Sequence, residues 1–493
     1  MSQVTTQPPE TQSTAQTQTS GSQSGNVPPR KKGLGCCLMK LCLLLLLVAG
    51  GLAAGFLVNR NKSDENFNAY IEEAIAGGTA LTVEEVVEKE YGPTNRTLDT
   101  SKDWQVAIDG FGSEEYRQAI EGVPYVGVNV PLRWPPTSWN ELDASKRFLR
   151  DHRRLLLQLQ LACSGTAVWQ VEPLEKNELP AESIDALNKA WDCLVLSCYV
   201  SAHERQLEDL VIRLVSCLDF GGCLALHPSH QLQRLEFEQR GMELLFAALG
   251  QIEFNERELE KLRNAVNRNV DWKPIRSMLR YQRAIRLTMY NDLENFRKSW
   301  LFKEMQENPQ QAEFIKNLDI NMKYSHFSGD DAVQFLEHMN SIESLLEGNP
   351  VEQAIAVADK EQEIWNSTPS GLEKYKKPTA HSMVPRMSDL VKATGDVVAA
   401  RNALLAALAV DRYRFVNQVF PDSLQQASDE FLSELPLDLY TGEPIRMKGS
   451  QRQLYVMSLG PNKTDDNLQG DDIGMLLKLQ KWNALTRGAQ ETD

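Results

Sequence analysis

The chain has 493 residues, 42% of them hydrophobic, and carries 67 acidic against 52 basic residues for a formal charge of −15. That length holds two or three ordinary domains, so core size does not limit stability. The charge excludes nucleic acid as a general partner and disfavours anionic membrane surfaces.

Met1 to Pro29 consists of Ser, Thr, Gln, Gly and Pro with little aliphatic content, too little to offset ordering entropy, so residues 1–32 read as a disordered cytoplasmic tail. Arg30, Lys31 and Lys32 then precede Gly33 to Val58, which is apolar except for Lys40. Those roughly 26 residues would reach about 39 Å as a helix, and Leu41 to Val58 alone meets the lower limit for a membrane span. Lys40 can snorkel from near the start. The basic N-terminal flank places the N-terminus in the cytoplasm and the body outside it. A cleaved signal peptide shares this order of segments, but the apolar stretch exceeds a usual signal core, and Ala49 to Gly55 is only a loose cleavage site. Gly33-Leu34-Gly35-Cys36 begins the apolar run, where a lipoprotein box would end it. Gly51 and Gly55 form a G-x-x-x-G pair that could bring two spans together.

Residues 59–142 read as a mixed membrane-proximal region, with a short helix at Val83 to Lys89 and an extended run from Val123 to Leu132, closed by Trp134-Pro135-Pro136. Residues 143–386 read as a helical domain. Ile184, Leu187, Trp191, Leu194 and Cys198 fall on one helical face, as do Leu207, Leu210, Val211, Leu214 and Leu218 on the next. Further helices are predicted at Gln231–Gly250, Glu256–Asn269, Ile275–Lys298, Gly329–Glu347, Pro350–Trp365 and Met387–Val419. Residues 387–493 combine that last helix with a small antiparallel sheet, its strands at Ile445–Lys448 and Gln453–Ser458. The fold class is therefore mainly α: an N-terminal transmembrane helix, a multi-helix extracytoplasmic array and a small C-terminal α+β region.

Five cysteines, Cys163, Cys193, Cys198, Cys217 and Cys223, lie in helical patterns, odd in number and without close pairing, which argues against a disulfide framework and leaves one or two bridges open. His203-Glu204 lacks the second histidine of a zinc-protease helix, because Leu207 stands four residues on; His203 is expected near a helix start. Cys217, Cys223, His227 and His230 match no standard zinc spacing. No nucleophile elbow, phosphate loop or dinucleotide fingerprint occurs. Asp465, Asp466, Asp471 and Asp472, on a loop containing Gly460, Asn462, Asn467 and Gly470, supply the oxygen-rich set that calcium takes, and are the expected metal ligands; a solvated acidic turn is the alternative.

This loop, with Phe420-Pro421-Asp422-Ser423-Leu424 and Leu435-Pro436-Leu437-Asp438-Leu439-Tyr440-Thr441-Gly442-Glu443-Pro444, resembles the C-terminal region of type II secretion major pseudopilins. That resemblance covers about the last hundred residues and implies calcium among the same four aspartates. The whole chain is similar to a family of membrane-anchored helical proteins abundant in planctomycete bacteria, through Gly78-Thr79-Ala80-Leu81-Thr82-Val83-Glu84-Glu85, the helices from Ala181 to Asn291 and the tail. It implies an architecture without an activity. Lys40 stands where processing after Gly35 would need glutamate, so the pseudopilin resemblance does not extend to the N-terminus. The expectation is a membrane-anchored extracytoplasmic protein with a structural or protein-binding role in the cell envelope. The alternative is an envelope hydrolase or metal-dependent enzyme with its site between helices.

Overall fold

A computed structural model describes residues 34–92, 98–123, 139, 141–169, 179–227, 229–268, 273–307, 329–346, 350–367, 383–432, 434–468 and 470–479. The tail before residue 34, most of the run Val123 to Leu132 and Trp134-Pro135-Pro136 lie outside the described residues. The chain divides into two compact units, Met1–Asn61 and Lys62–Asp493.

Helix α1 covers Leu34–Ala76. In the first unit it exposes Leu45, Leu46, Leu47, Val48, Leu57 and Val58. In the second unit Ser63 and Phe67 are buried, and a Cβ added to Gly329 would stand 2.0 Å from the Ser63 carbonyl, so only glycine permits this approach.

Helix α2 (Val83–Val86) starts on a reciprocal capping box between Thr82 and Glu85 and passes into a π-turn, Val87–Tyr91. The turn buries Tyr91 edge-on against Tyr281, with ring centroids 5.9 Å apart. Helices α3 (Ser101–Gly112), α4 (Glu114–Ala119), α5 (Leu142–Asp151) and α6 (Arg153–Ala162) follow. Thus the region read as mixed is largely helical where it is described.

Helix α7 (Ala181–His203) and helix α8 (Leu207–Asp219) form a hairpin, extended by a 3₁₀ turn at Phe220–Leu224. The predicted faces are the buried ones: Leu187, Trp191, Leu194 and Cys198 on α7, and Leu210, Val211 and Leu214 on α8. Phe220 joins Trp104, Trp191 and Phe237 in an aromatic cluster at centroid distances of 5.2, 5.4 and 4.7 Å. His203 ends α7 instead of standing near a helix start, because the chain reverses at Arg205 in a left-handed conformation. All five described cysteines are buried and free.

Next come α9 (Gln231–Gln251), α10 (Glu256–Val266), α11 (Lys273–Asn291), α12 (Leu293–Lys298) and α13 (Trp300–Glu307). The predicted single helix Ile275–Lys298 is broken at Asp292, whose carboxylate accepts the Asn295 amide (3.0 Å) and so starts a new helix. Helices α14 (Gly329–Ser344) and α15 (Pro350–Asn366) lead to α16, Ser388–Asn417. Among the described residues α16 alone meets the length and apolarity of a membrane span, yet 67% of its apolar window is buried within the protein. It is the core helix, packed against α9, α10, α15 and the sheet.

Gln418 in the left-handed conformation ends α16, and α17 (Leu424–Phe431) folds back on it. The antiparallel sheet has the order β1 (Arg446–Ser450), β2 (Gln453–Ser458), β3 (Ile473–Lys478). Strand β3, absent from the sequence reading, pairs Val456 with Met475 and Leu454 with Leu477, and these four residues are buried.

Candidate functional site

A cleft of about 720 Å³ lies where the end of α7 and the middle of α8 meet α5 and α6. Lys146, Arg147, Arg150, Arg153 and Arg213 line it with Asp143 and Glu204, three more cations than carboxylates in a chain of charge −15. The spacing explains the arrangement: Lys146, Arg150 and Arg153 recur every three or four residues across the α5–α6 junction, opposite buried Phe148 and Leu149.

Three of these cations have partners, among them Arg150, whose Nε stands 3.6 Å from Asp151 Oδ1. Lys146 Nζ bonds Glu204 Oε1 at 3.0 Å, and Arg213 donates to the Ser197 carbonyl at 2.7 Å and to Ser201. Arg147 and Arg153 are exposed and make no hydrogen bond or ion pair with the described residues. Arg153 heads a stripe continued at four-residue spacing by Leu157 and Leu161, each 53% exposed. The guanidinium groups of the cleft and, along α6 from Arg153, the exposed leucines together form a surface complementary to carboxylates interspersed with apolar side chains. The ring of His203, next to Glu204, lies 5.2 Å from that of Trp139 at a tilt of 51°, and no metal-holding group of side chains occurs among the described residues.

The acidic loop has a different character. Asp465 Oδ2 faces Lys448 Nζ at 3.0 Å and Arg446 Nε at 3.3 Å, and these cations hold its carboxyl below the usual range, the Lys448 bond foremost. Asp472 Oδ2 accepts the amides of Asp466 and Leu468, both at 2.9 Å, while Asn462 donates to Asp466 at 2.7 Å. Asp471 is exposed; its backbone passes so close to Gly460 that a Cβ there would meet the Asp471 carbonyl at 2.0 Å. The four predicted ligands thus share one loop, yet Asp465 is directed to β1. Among the described residues no three Asp, Glu, His or Cys side chains are grouped to hold a metal.

Cys217, Cys223, His227 and His230 do not converge either. His230 Nε2 accepts the Leu179 amide at 2.8 Å, and His227, its ring 4.6 Å from His230, is pushed down to about 3 by burial and by that neighbour. Burial raises the thiols of Cys163, Cys217 and Cys223, which makes them inert as nucleophiles. The sequence reading passed over the basic cleft, although Lys146-Arg147 and Arg153-Arg154 around Arg150 were its signal.

No protein-family model matches the chain, no curated protein is significantly similar to it, and no solved structure matches it.

Proposed function

We propose that the protein is a membrane-anchored receptor or scaffold of the cell envelope that binds an acidic, partly apolar segment of another protein. The observation that carries this reading is the basic cleft on an acidic body: Arg147 and Arg153 have no partner among the described residues, and Leu157 and Leu161 continue the stripe that Arg153 heads. Buried thiols and the lack of a grouped metal set among the described residues give the alternative, an envelope hydrolase, no comparable support.

Anchoring is assigned to residues 33–58, with the N-terminus cytoplasmic and the body outside. The exposed Leu45, Leu46, Leu47, Leu57 and Val58 support it, since a lipid phase is the solvent in which such a stripe is stable. Kinship with membrane-anchored planctomycete proteins, and of the tail with pseudopilins, belongs to the same proposal. Protease added to intact spheroplasts should digest the body and spare the tail; protection of the whole chain would refute the topology.

The binding reading is tested by placing a photo-crosslinking residue at position 150 in the full-length protein, in membranes. Cross-linked peptides should be rich in Asp and Glu and should vanish in R147E/R153E while the helical spectrum is unchanged. Equal cross-linking in that variant would sink the reading.

Calcium at the acidic loop is kept as a second reading on one observation: Asp472 Oδ1 is buried without a hydrogen-bond partner. An ion there would have to draw Asp465 away from Lys448 and Arg446.

A further inference from the structure

Five cysteines in helical patterns leave one or two bridges open by sequence, and the fold selects a pair. Cys198 on α7 and Cys217 on α8 face each other across the hairpin with their sulfurs 4.0 Å apart, and both side chains are wholly buried. Leu194 and Leu214, on the same faces, are wholly buried too, so the pair sits inside the helix–helix interface. A disulfide holds its sulfurs about 2 Å apart, and rotation about the two Cα–Cβ bonds supplies the remaining movement of about 2 Å. The other three described cysteines are placed differently. Cys193 lies against Tyr116, Cys163 caps the end of α6 and Cys223 belongs to the 3₁₀ turn.

In the finished fold burial raises the Cys217 thiol, and Cys198 adds to that, so little thiolate forms there to attack a disulfide. A bridge has to close before the core does. The hairpin allows it: the two cysteines are 19 residues apart, a local contact that forms ahead of the longer-range packing of α7 on α3 and of α8 on α10.

We propose that Cys198 and Cys217 are joined by a disulfide in the mature protein, which staples the α7–α8 hairpin. The oxidant is a dithiol–disulfide oxidoreductase of the envelope. One cysteine thiolate attacks the disulfide of that oxidant to give a mixed disulfide, and the second thiolate attacks the mixed disulfide in turn. The two thiols give up two protons and two electrons, and the oxidoreductase leaves as its dithiol. The proposal rests on the extracytoplasmic placement of the body, because a reducing cytoplasm keeps such pairs as thiols. The stapled hairpin carries Val200, Glu204 and Arg213, so the bridge also fixes two walls of the basic cleft.

The test takes the full-length protein from membranes, alkylates its free thiols under denaturing conditions and maps the peptides before and after reduction. Trypsin leaves Cys193 with Cys198 in residues 190–205 and Cys217 with Cys223 in residues 214–234, so fragmentation within the linked pair assigns the bridge. Cys198 linked to Cys217 is the expected result, and the link should persist in C193A/C223A. In C217A, Cys198 should be alkylated without reduction. The reduced protein should melt about 5 °C lower, the order expected for a closed loop of this length in a large body. All five thiols free, or a bridge joining another pair, would overturn the proposal. Protease treatment of spheroplasts from the same culture separates its failure from that of the topology. Free thiols with the body digested refute the bridge alone; free thiols with the body protected refute both.

Discussion

Replacing Arg414 with methionine should be the most damaging single change among the charged residues of the core helix. Arg414 is 4% exposed at its side chain and ties three elements together. Its Nε bonds Asp411 Oδ1 at 2.8 Å, its NH1 the Leu479 carbonyl at 3.1 Å just beyond β3, and its NH2 stands 3.0 Å from Glu253 Oε2 after α9. Burial pulls its guanidinium down, but Asp411 and Glu253 outweigh that and hold it above its ordinary value. Methionine keeps much of the aliphatic volume, so the loss is electrostatic. Asp411 is wholly buried and would be left without the guanidinium, whereas Glu253, 23% exposed, would recover water. Breaking a buried pair on one side costs about 3–5 kcal/mol, and the solvated Glu253 arm places the expected loss near ~4 kcal/mol.

The assay is urea unfolding followed by circular dichroism, with hydrogen exchange across β3 and α16. For a body of this size, a slope of roughly 4 kcal/mol per molar urea would move the midpoint down by about 1 M. The double variant D411N/R414M should recover part of that loss, because no buried carboxylate then lacks its cation. A loss below about 1 kcal/mol in R414M, or a double variant no better than the single, would refute the reasoning.

Acid should act on two buried groups with opposite signs. His227 titrates at about 3 in the fold, so the unfolded chain binds more protons below about 6.5, and stability should fall as pH drops through that window. Asp219 is pushed up to about 6 by burial, despite Arg268, so the fold binds more protons between about 4 and 6, and its contribution falls as pH rises through that window. H227Q should flatten the acid limb of a pH–stability curve and D219N should steepen it; the reverse pattern would contradict both assignments. At Gly241 a Cβ would stand 2.8 Å from the Cys217 carbonyl, so G241A should lower stability by about 1–3 kcal/mol, even though alanine favours a helix interior. A gain in unfolding free energy would show that α8 and α9 can part. Calcium, if it binds the acidic loop, competes with Lys448 and Arg446 for Asp465, so a calcium-dependent rise in melting temperature should be larger in K448Q than in the parent. An equal rise, or none in either, would remove that reading.

The helices were legible because their side chains carry a period. Leu210, Val211 and Leu214 repeat on the buried face of α8, and no tertiary information is needed to see it. The break at Asp292 was hidden because the apolar pattern continues on both sides and only the aspartate cap interrupts it. Strand β3 was hidden for another reason: Ile473 to Lys478 follows an acidic loop, and its extended form is fixed by pairing with β2, across a gap in sequence. The basic cleft could be half seen, since the cations of α5 and α6 form a run, but each alone looks like a solvated face. Arg213 and Glu204 join them only after the α7–α8 hairpin has folded back. The acidic loop was conspicuous in sequence, and its actual partners, Lys448 and Arg446, were not.

Two apolar helices of similar composition take different places in this chain, and the difference lies in what each side chain meets. Helix α16 carries Ala399, Ala400, Ala403, Ala406, Ala407 and Ala409 on buried faces, small enough for α9, α10 and α15 to approach closely. It also buries Asp411 and Arg414, which protein groups satisfy and hydrocarbon could not. A helix so constituted belongs to a soluble core, whatever its mean hydropathy. Helix α1 has the opposite character between Leu41 and Val58: no Asp, Glu, Lys, Arg or His occurs there, and its described leucines and valines are exposed.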